Sequence, residues 1–221
     1  MNKATLKAKV TSALRKGIKG SKSSLPGLLP HKFTAGKIYE AYVLGLICQN
    51  LRTHENFTCT LVGGTKLTLK ASPGPINFAY PHIRVTNAGT HVANIWTDIE
   101  FTALSAVKQG KSILTHGEYH ELDIAIVAPN CQARPRPNEV FLAVECKNTG
   151  YQKRLLREIL GVRRELSFLR PCMRTIFTRW PRAVVPADPP SCIVVYSTDP
   201  GVVGYQAPGA IFGIDFFHQS L

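Results

Sequence analysis

The centre of the sequence carries two carboxylates and a lysine whose types and spacing suit hydrolysis of phosphodiester bonds. Asp123 lies in an otherwise apolar run at residues 119–127, and a second apolar run at residues 140–147 contains Glu145 and Lys147. A hard cation held by two carboxylates keeps positions open for water and a phosphate oxygen, so it activates the nucleophile and stabilises developing negative charge. A nearby lysine can orient or deprotonate the water, or stabilise the charged phosphorus centre. The residue types therefore predict a site for Mg²⁺ or Mn²⁺.

The two apolar runs are predicted to form a β-hairpin that brings these side chains together. If the hairpin is centred on residue 134, within a proline-rich loop, Asp123 lies directly opposite Glu145. Because side chains alternate along a strand, Asp123, Glu145 and Lys147 then share one face. The other face is apolar and contains Ile124, Ile126, Leu142, Val144 and Cys146. Two facing carboxylates are harder to ionise unless a cation neutralises them, which again favours a metal or the lysine between them.

At these residues the chain resembles the PD-(D/E)xK superfamily of restriction-endonuclease-like nucleases. The family signature is an Asp that ends one strand and a Glu-x-Lys on the next, matched here by Asp123 and by Glu145, Cys146 and Lys147. Leu122 stands where the family name has proline, so the match depends on the Asp and the Glu-x-Lys. The resemblance implies a Mg²⁺- or Mn²⁺-dependent endonuclease of restriction or defence, repair or mobile-element type, with DNA favoured as substrate. It also implies a homodimer or a partner subunit, as in small basic members of the family.

The resemblance extends the site to further residues. Family members often carry an acidic residue on the first helix that completes the metal site, and Glu40 occupies the matching place. The alternative is that Glu40 pairs with Lys37 at the helix edge. In several branches of the family a Gln or Lys at the start of the following helix also reaches the site, which here is Gln152 or Lys153.

Other acidic residues border the predicted site. Glu121 shares the face of Asp123 and is an accessory candidate, although a polar entrance to the strand is the simpler explanation. Asp98 and Glu100 lie two apart on the preceding predicted strand and could border the site. The aromatic residues of that strand indicate that it mainly supplies core.

The elements that must position these residues predict a mixed α/β fold. An apolar helix at residues 35–51 is followed by a hairpin and an irregular excursion over residues 52–90. Strands are predicted at residues 91–104, with a kink near Thr97, and then at 119–127, 140–147, 192–197 and 210–217. A helix is predicted at 152–169 because apolar residues recur there at spacings of four and three, namely Leu155, Ile159, Val162, Leu166 and Leu169. Apart from the excursion at residues 52–90, this order resembles the αβββαβ core of the restriction-endonuclease-like fold, a mixed central sheet flanked by helices.

The sequence predicts a basic N-terminal arm at residues 1–32 and one nuclease-like domain at residues 33–221. The arm carries basic residues without a balancing acid, and glycine, serine and proline break it between residues 20 and 27. Leu6, Val10 and Leu14 recur at helical spacing, which indicates a short amphipathic helix. The arm is interpreted either as a phosphate-binding tail or as a flexible terminus, and the helix could also pack on the domain.

The charge balance makes nucleic acid the leading partner. The 221 residues include 27 Lys and Arg against 14 Asp and Glu, a formal net charge of +13. Neutralising phosphates releases their condensed counterions, so such a surface attracts polyanions. Arginines after the Glu-x-Lys are predicted to hold the nucleic-acid backbone, with a solvated helix face as the alternative; they are Arg154, Arg157, Arg163 and Arg164. An inactive nucleic-acid-binding or scaffold subunit of the same fold is the alternative function.

Other classes of protein lack support in the sequence. There is no P-loop, no Gly-x-Ser-x-Gly and no dinucleotide fingerprint, which argues against nucleotide hydrolysis and acyl transfer. The six cysteines are spread singly, and no apolar run is long enough to span a bilayer. We therefore expect a soluble intracellular protein, in the cytoplasm or associated with the nucleoid or nucleus, with no membrane partner.

Overall fold

The computed structural model describes residues 3–20, 34–64, 67, 69–70, 72–170, 180 and 185–221. Within them the helices are α1 (Lys3–Gly17), α2 (Ala35–Glu55), α3 (Leu104–Lys108), α4 (Lys153–Leu166) and α5 (Gln206–Ala210). The strands are β1 (Ile18–Lys19), β2 (Thr58–Val62), β3 (His82–Asn87), β4 (Thr90–Thr102), β5 (Tyr119–Val127), β6 (Val140–Lys147), β7 (Phe168–Leu169), β8 (Ala187–Asp188), β9 (Cys192–Ser197) and β10 (Ile214–His218). The predicted strands at 119–127, 140–147 and 192–197 are confirmed with the same bounds.

The centre of the fold is one mixed sheet in the order β1-β2-β3-β4-β5-β6-β9-β10. Neighbouring strands from β2 to β6 are antiparallel, whereas β1 with β2, β6 with β9, and β9 with β10 are parallel. The parallel step from β6 to β9 contains α4, because parallel neighbours need a long crossover connection. The expected mixed α/β class, with a large mixed sheet flanked by helices, is confirmed.

Helices cover both faces of the sheet and bury two apolar cores. On one face α1 and α2 pack over strand residues that include Ile124, Ile126, Leu142 and Val144, the apolar face predicted for the hairpin. On the other face α4 and the C-terminal segment pack over Ala125, Ala143, Ile193 and Val195. Both sides of β5 and β6 are therefore buried, which explains why these strands are apolar along most of their length.

The predicted register of the hairpin is confirmed. Ile124 pairs with Val144, Ala125 with Ala143, and Ile126 with Leu142, and each pair is centred on residue 134. A bulge between Ile126 and Val127 shifts the register only beyond these pairs, towards the loop. The end of the hairpin away from the loop therefore keeps the alignment expected for Asp123 and Glu145.

Four predicted elements have wrong boundaries. The helix expected to end at residue 51 continues to Glu55, and the strand expected to end at residue 104 stops at Thr102, before α3. The helix expected to reach residue 169 ends at Leu166, because Phe168 and Leu169 form β7, which pairs with β8. The strand expected to start at residue 210 begins at Ile214, after α5 and a turn in which Gly213 has a φ of +69°. A positive φ suits glycine and ends the helical turn, which apolar content alone does not reveal.

The N-terminal helix packs into the main core. Val10 and Leu14 of α1 are fully buried against α2, and Ile18 of β1 pairs in parallel with Cys59 of β2. Residues 3–20 are therefore part of the packed fold and not a free arm, which agrees with the packing alternative that the helical spacing left open. Residues 1–2 and 21–32 of the predicted arm lie outside the described residues.

Candidate functional site

Asp123 and Glu145 lie where β5 and β6 stop pairing with each other. Beyond Ile124 and Val144, β5 continues only beside β4, and β6 continues beside β9. The Asp123 carboxylate lies across this fork, since its Oδ2 accepts a hydrogen bond of 2.7 Å from the Cys146 backbone N–H. One oxygen of Asp123 is thereby fixed.

Lys147 joins this pair from the same strand as Glu145. Its Nζ lies 3.0 Å from Glu145 Oε2, as the spacing of two residues along β6 predicted. Burial and the nearby charge of Asp123 raise the pKa of Glu145 to about 7, although Lys147 opposes the shift. Burial lowers the pKa of Lys147, but the charge and hydrogen bond of Glu145 outweigh it and raise that pKa overall. The fork therefore holds a buried, incompletely neutralised negative charge.

Glu40 reaches the same region from α2. It is 8% exposed, and Lys37 Nζ lies 2.7 Å from its Oε2, so the pairing offered as an alternative for Glu40 is present. Burial raises the pKa of Glu40 to about 7, against the hydrogen bond from Lys37, and the charges of Asp123 and Asp98 add to the rise. Glu40 therefore forms an ion pair with Lys37 and also interacts electrostatically with Asp123.

Asp98 is a fourth carboxylate in this group. It lies between the rungs Thr97–Ile124 and Ile99–Leu122 of the β4–β5 pair, which places it opposite Asp123. Its φ of +51° is left-handed, at the predicted kink, and breaks the regular alternation of the strand. Its Oδ1 accepts a hydrogen bond from Lys37, and burial raises its pKa. The sequence predicts Asp98 only as a residue that could border the site, because the aromatic residues of its strand indicate core.

The other accessory candidates are not brought into this group. Gln152 and Lys153 lie exposed at the start of α4. The residue of α4 that influences the fork is Glu158, because its negative charge raises the pKa of both Glu145 and Lys147. Glu121 is exposed and lies opposite Glu100 in the register of β4 and β5. Glu100 in turn forms an ion pair with a loop arginine, Arg134 Nη2, at 2.6 Å.

The structure separates the four predicted backbone-binding arginines of α4. Arg154, Arg157 and Arg164 are exposed, and Arg164 lies over the Phe168 ring at 5.6 Å from its centroid. Arg163 is only 1% exposed and donates to the backbone oxygen of Ser191 at 3.1 Å, while burial lowers its pKa to about 10. The prediction that Arg163 contacts nucleic acid is therefore wrong, because its place in the helical repeat lies on the buried face.

The donor types fit a hard divalent ion. Asp123 and Glu145 supply the carboxylate oxygens that Mg²⁺ and Mn²⁺ prefer, and the described part of the chain leaves the buried Oδ2 of Asp98 without a hydrogen-bond partner. Among the same residues, no group of three His, Cys, Asp or Glu side chains is preassembled at metal-binding geometry. In this arrangement Lys37 and Lys147 compensate the carboxylates.

No family model matches the sequence, and comparison with the curated proteins and with the solved structures finds no match either. In the described ranges no helix is both long and apolar enough to cross a membrane. The function has to be inferred from the geometry of the fork between β5 and β6.

Proposed function

We propose that this chain is a divalent-metal-dependent nuclease with a restriction-endonuclease-like core, and that DNA is its favoured substrate. The observation that carries the proposal is the convergence of Asp123, Glu145 and Lys147 at the fork between β5 and β6. The order of β4, β5 and β6, then α4 and the parallel strand β9, supports it, because the family resemblance implies three strands, a helix and a fourth strand. Between α2 and β4 this chain also has the antiparallel strands β2 and β3. The two carboxylates and the lysine supply the residue types that metal-assisted phosphodiester hydrolysis needs.

Each of these residues has a role that follows from its contacts. The Cys146 N–H holds one oxygen of Asp123, which leaves the other oxygen to bind a cation together with Glu145. Glu145 holds the Lys147 ammonium, so Lys147 is positioned to orient the attacking water or to neutralise charge that develops on the phosphate. Glu40 and Asp98 add negative charge from α2 and β4. When bound, Mg²⁺ or Mn²⁺ would polarise the phosphate and lower the pKa of a water molecule.

The charge of the molecule supports a nucleic-acid substrate. The net charge of +13 attracts polyanions, and Arg154 and Arg157 present exposed guanidinium groups on α4. Since α4 begins six residues after Lys147, these arginines are carried by the element that directly follows the Glu-x-Lys strand. We expect them to contact phosphates beside the cleaved bond.

One observation favours the alternative of a subunit that binds nucleic acid without cutting it. Lys147 pairs with Glu145, and Lys37 pairs with Glu40 and Asp98, so lysines already compensate much of the negative charge. Such a network can persist without a metal ion. The two functions differ in whether a divalent ion permits turnover.

A cleavage assay separates them. Purified protein is incubated with duplex DNA, single-stranded DNA and RNA in Mg²⁺, Mn²⁺ or EDTA, and products are counted on denaturing gels. We expect metal-dependent cleavage of DNA, and a loss of about 10²-fold or more for Glu145→Gln and Lys147→Met, a size typical of lost acid-base or charge-stabilising groups.

The matched controls are Glu118→Gln and Lys111→Met, which break another glutamate-lysine ion pair outside the fork. They should cut at the rate of the wild type. The proposal fails if the wild type cuts none of these substrates with either metal, or if Lys147→Met cuts as fast as the controls. Salt-sensitive DNA binding without cleavage would instead support the non-catalytic subunit.

A further inference from the structure

Lys37 places an ammonium group between two carboxylates from different elements. Its Nζ lies 2.7 Å from Glu40 Oε2, one turn along α2, and donates a second hydrogen bond to Asp98 Oδ1 on β4. The Lys37 side chain is 22% exposed, whereas the Asp98 side chain is only 5% exposed. Lys37 thus occupies the position that a cation would take between Glu40 and Asp98.

Asp98 has more capacity to bind a cation than Lys37 uses. Its Oδ1 is paired, but its Oδ2 is buried and finds no hydrogen-bond partner among the residues that the structure describes. A buried carboxylate oxygen normally has a donor or a metal ion beside it. Asp98 lies opposite Asp123 in the β4–β5 pair, so its carboxylate belongs to the same side-chain group as the fork.

The formal charges of this group match one divalent ion. The charges that act on this group come from five carboxylates, those of Glu40, Asp98, Asp123, Glu145 and Glu158, and from three ammonium groups, those of Lys37, Lys70 and Lys147. With all groups ionised, two negative charges remain, which a single Mg²⁺ or Mn²⁺ neutralises. Without Lys37 three negative charges would remain, and one divalent ion would no longer balance them.

Lys70 is the neighbouring lysine most able to take the place of Lys37, and its contacts direct it elsewhere. Its charge reaches Asp98, but its Nζ donates to the Pro75 backbone oxygen at 3.2 Å and lies over the Tyr80 ring. Loss of Lys37 would therefore leave Glu40 and Asp98 open to a cation from solution.

We propose that Lys37 is a built-in cation that fills a second divalent-ion position formed by Glu40 and Asp98, and that it limits the site to one metal ion. The inference rests on the proposed function, because it needs the first ion to bind Asp123 and Glu145. Two-metal nucleases hold their ions on shared carboxylates. Asp123 lies between the two halves of the group and would be the shared ligand once Lys37 is removed.

The test counts Mn²⁺ ions bound to the intact protein. Calorimetric titration with MnCl₂, together with the electron paramagnetic resonance signal of free Mn²⁺, gives the number of tight sites. We expect one ion for the wild type, two for Lys37→Met, and one for the double variant Lys37→Met with Asp98→Asn. The matched control Lys70→Met removes a neighbouring charge and should bind one ion.

Lys37→Gln keeps a hydrogen-bond donor towards Glu40 and should also bind two ions, which protects the test if Lys37→Met fails to fold. One ion in every variant, or two in the wild type, would overturn the inference and leave the proposed function in place. A second ion that persists in the double variant would overturn the role of Asp98. No ion bound by the folded wild type would overturn both the inference and the metal-dependent function.

Discussion

Glu145 is the residue where burial and charge act together at the fork. It is 8% exposed, lies 3.0 Å from the Lys147 ammonium and is close to the Asp123 carboxylate. Burial and Asp123 raise its pKa to about 7, so without a metal ion it takes up a proton near neutral pH. A carboxylate in this state is ready to exchange that proton for a cation, since metal binding displaces protons from its ligands.

The raised pKa of Glu145 predicts how the stability of the metal-free protein depends on pH. Between about pH 4.5 and 7 the folded state holds a proton on Glu145 that the unfolded state has lost, so stability falls as the pH rises through this window. Glu145→Gln does not titrate and removes this contribution. We expect the melting temperature of the wild type in EDTA to fall relative to that of Glu145→Gln between pH 5 and 8.

The comparison between the two proteins matters because other groups titrate in the same range. Glu40 also has a pKa raised to about 7, whereas burial lowers the pKa of His82. Both residues are present in the wild type and in Glu145→Gln. If the melting temperatures of the two proteins change with pH in parallel between pH 5 and 8, Glu145 is ionised in the folded state throughout this range. Glu118→Gln, which has no part in the fork, should follow the wild type.

Alternation along strands made part of the site predictable, and local exceptions hid the rest. Glu145 and Lys147 stand on a regular stretch of β6, where a period of two assigns each side chain to a face. The register of the hairpin aligns Asp123 with Glu145, although Leu122 and Ile124 on either side of Asp123 pack into opposite cores. Asp98 stands at a left-handed residue that breaks this period. Arg163 is polar by type, but its helical position lies on the buried face, and a single sequence does not say which arginines a fold buries.

Among the elements, α1 and α2 cross in close contact at two glycines. A Cβ added to Gly45 would lie 2.8 Å from Ala13 backbone and side-chain atoms, and one added to Gly17 would lie 2.6 Å from Cys48 Cβ. The two helices can approach this closely only because neither residue has a side chain. This crossing fixes α2, and therefore Glu40 and Lys37, over the sheet.

Gly45→Ala should consequently destabilise the protein. Alanine is normally better than glycine in a helix by about 1 kcal/mol, but overpacking against backbone costs about 1–3 kcal/mol and should prevail here. The matched control is Gly161→Ala in α4, where nothing lies within 4 Å of the added Cβ, and this change should stabilise. Urea denaturation measures both free energies of unfolding, and two changes of the same sign would contradict the close crossing.

The hairpin was predictable as an element because its apolar pattern and its loop agree on one register. The pairs from Ile124 with Val144 to Ile126 with Leu142 follow from symmetry about residue 134. The burial of α1 was left open, because a basic amphipathic helix suits both a solvated arm and a packed one. The packing of α1 depends on the two glycines at the crossing, Gly17 and Gly45, which leave room for the other helix. This role can be recognised only when the positions of both helices are known.

At the scale of the whole molecule, α1 and α4 lie on opposite faces of the sheet, and both carry exposed positive charge. Since α4 follows the Glu-x-Lys strand, we expect it to face the nucleic acid. The double variant Arg154→Ala with Arg157→Ala should weaken DNA binding for all sequences and reduce the slope of log K against log salt by about 2, roughly one for each lost phosphate contact.

The matched control for this variant is Lys7→Ala with Lys9→Ala, which removes the same charge from the exposed surface of α1. Fluorescence anisotropy with labelled duplexes at several salt concentrations measures both slopes. We expect the α1 variant to keep the slope of the wild type. An equal reduction in both variants would mean that net charge and not the face of α4 determines binding.

The proposed nuclease function requires that Asp123 and Glu145 share a divalent ion at the fork between β5 and β6. The most direct measurement is the anomalous difference map of a crystal grown in MnCl₂, collected near the manganese absorption edge. We expect a peak within bonding distance of both carboxylates, with the Lys147 ammonium beside it. A map from a well-ordered crystal with no peak at the fork, and with Lys147 and Lys37 still paired to their carboxylates, would show that these carboxylates do not share a metal ion.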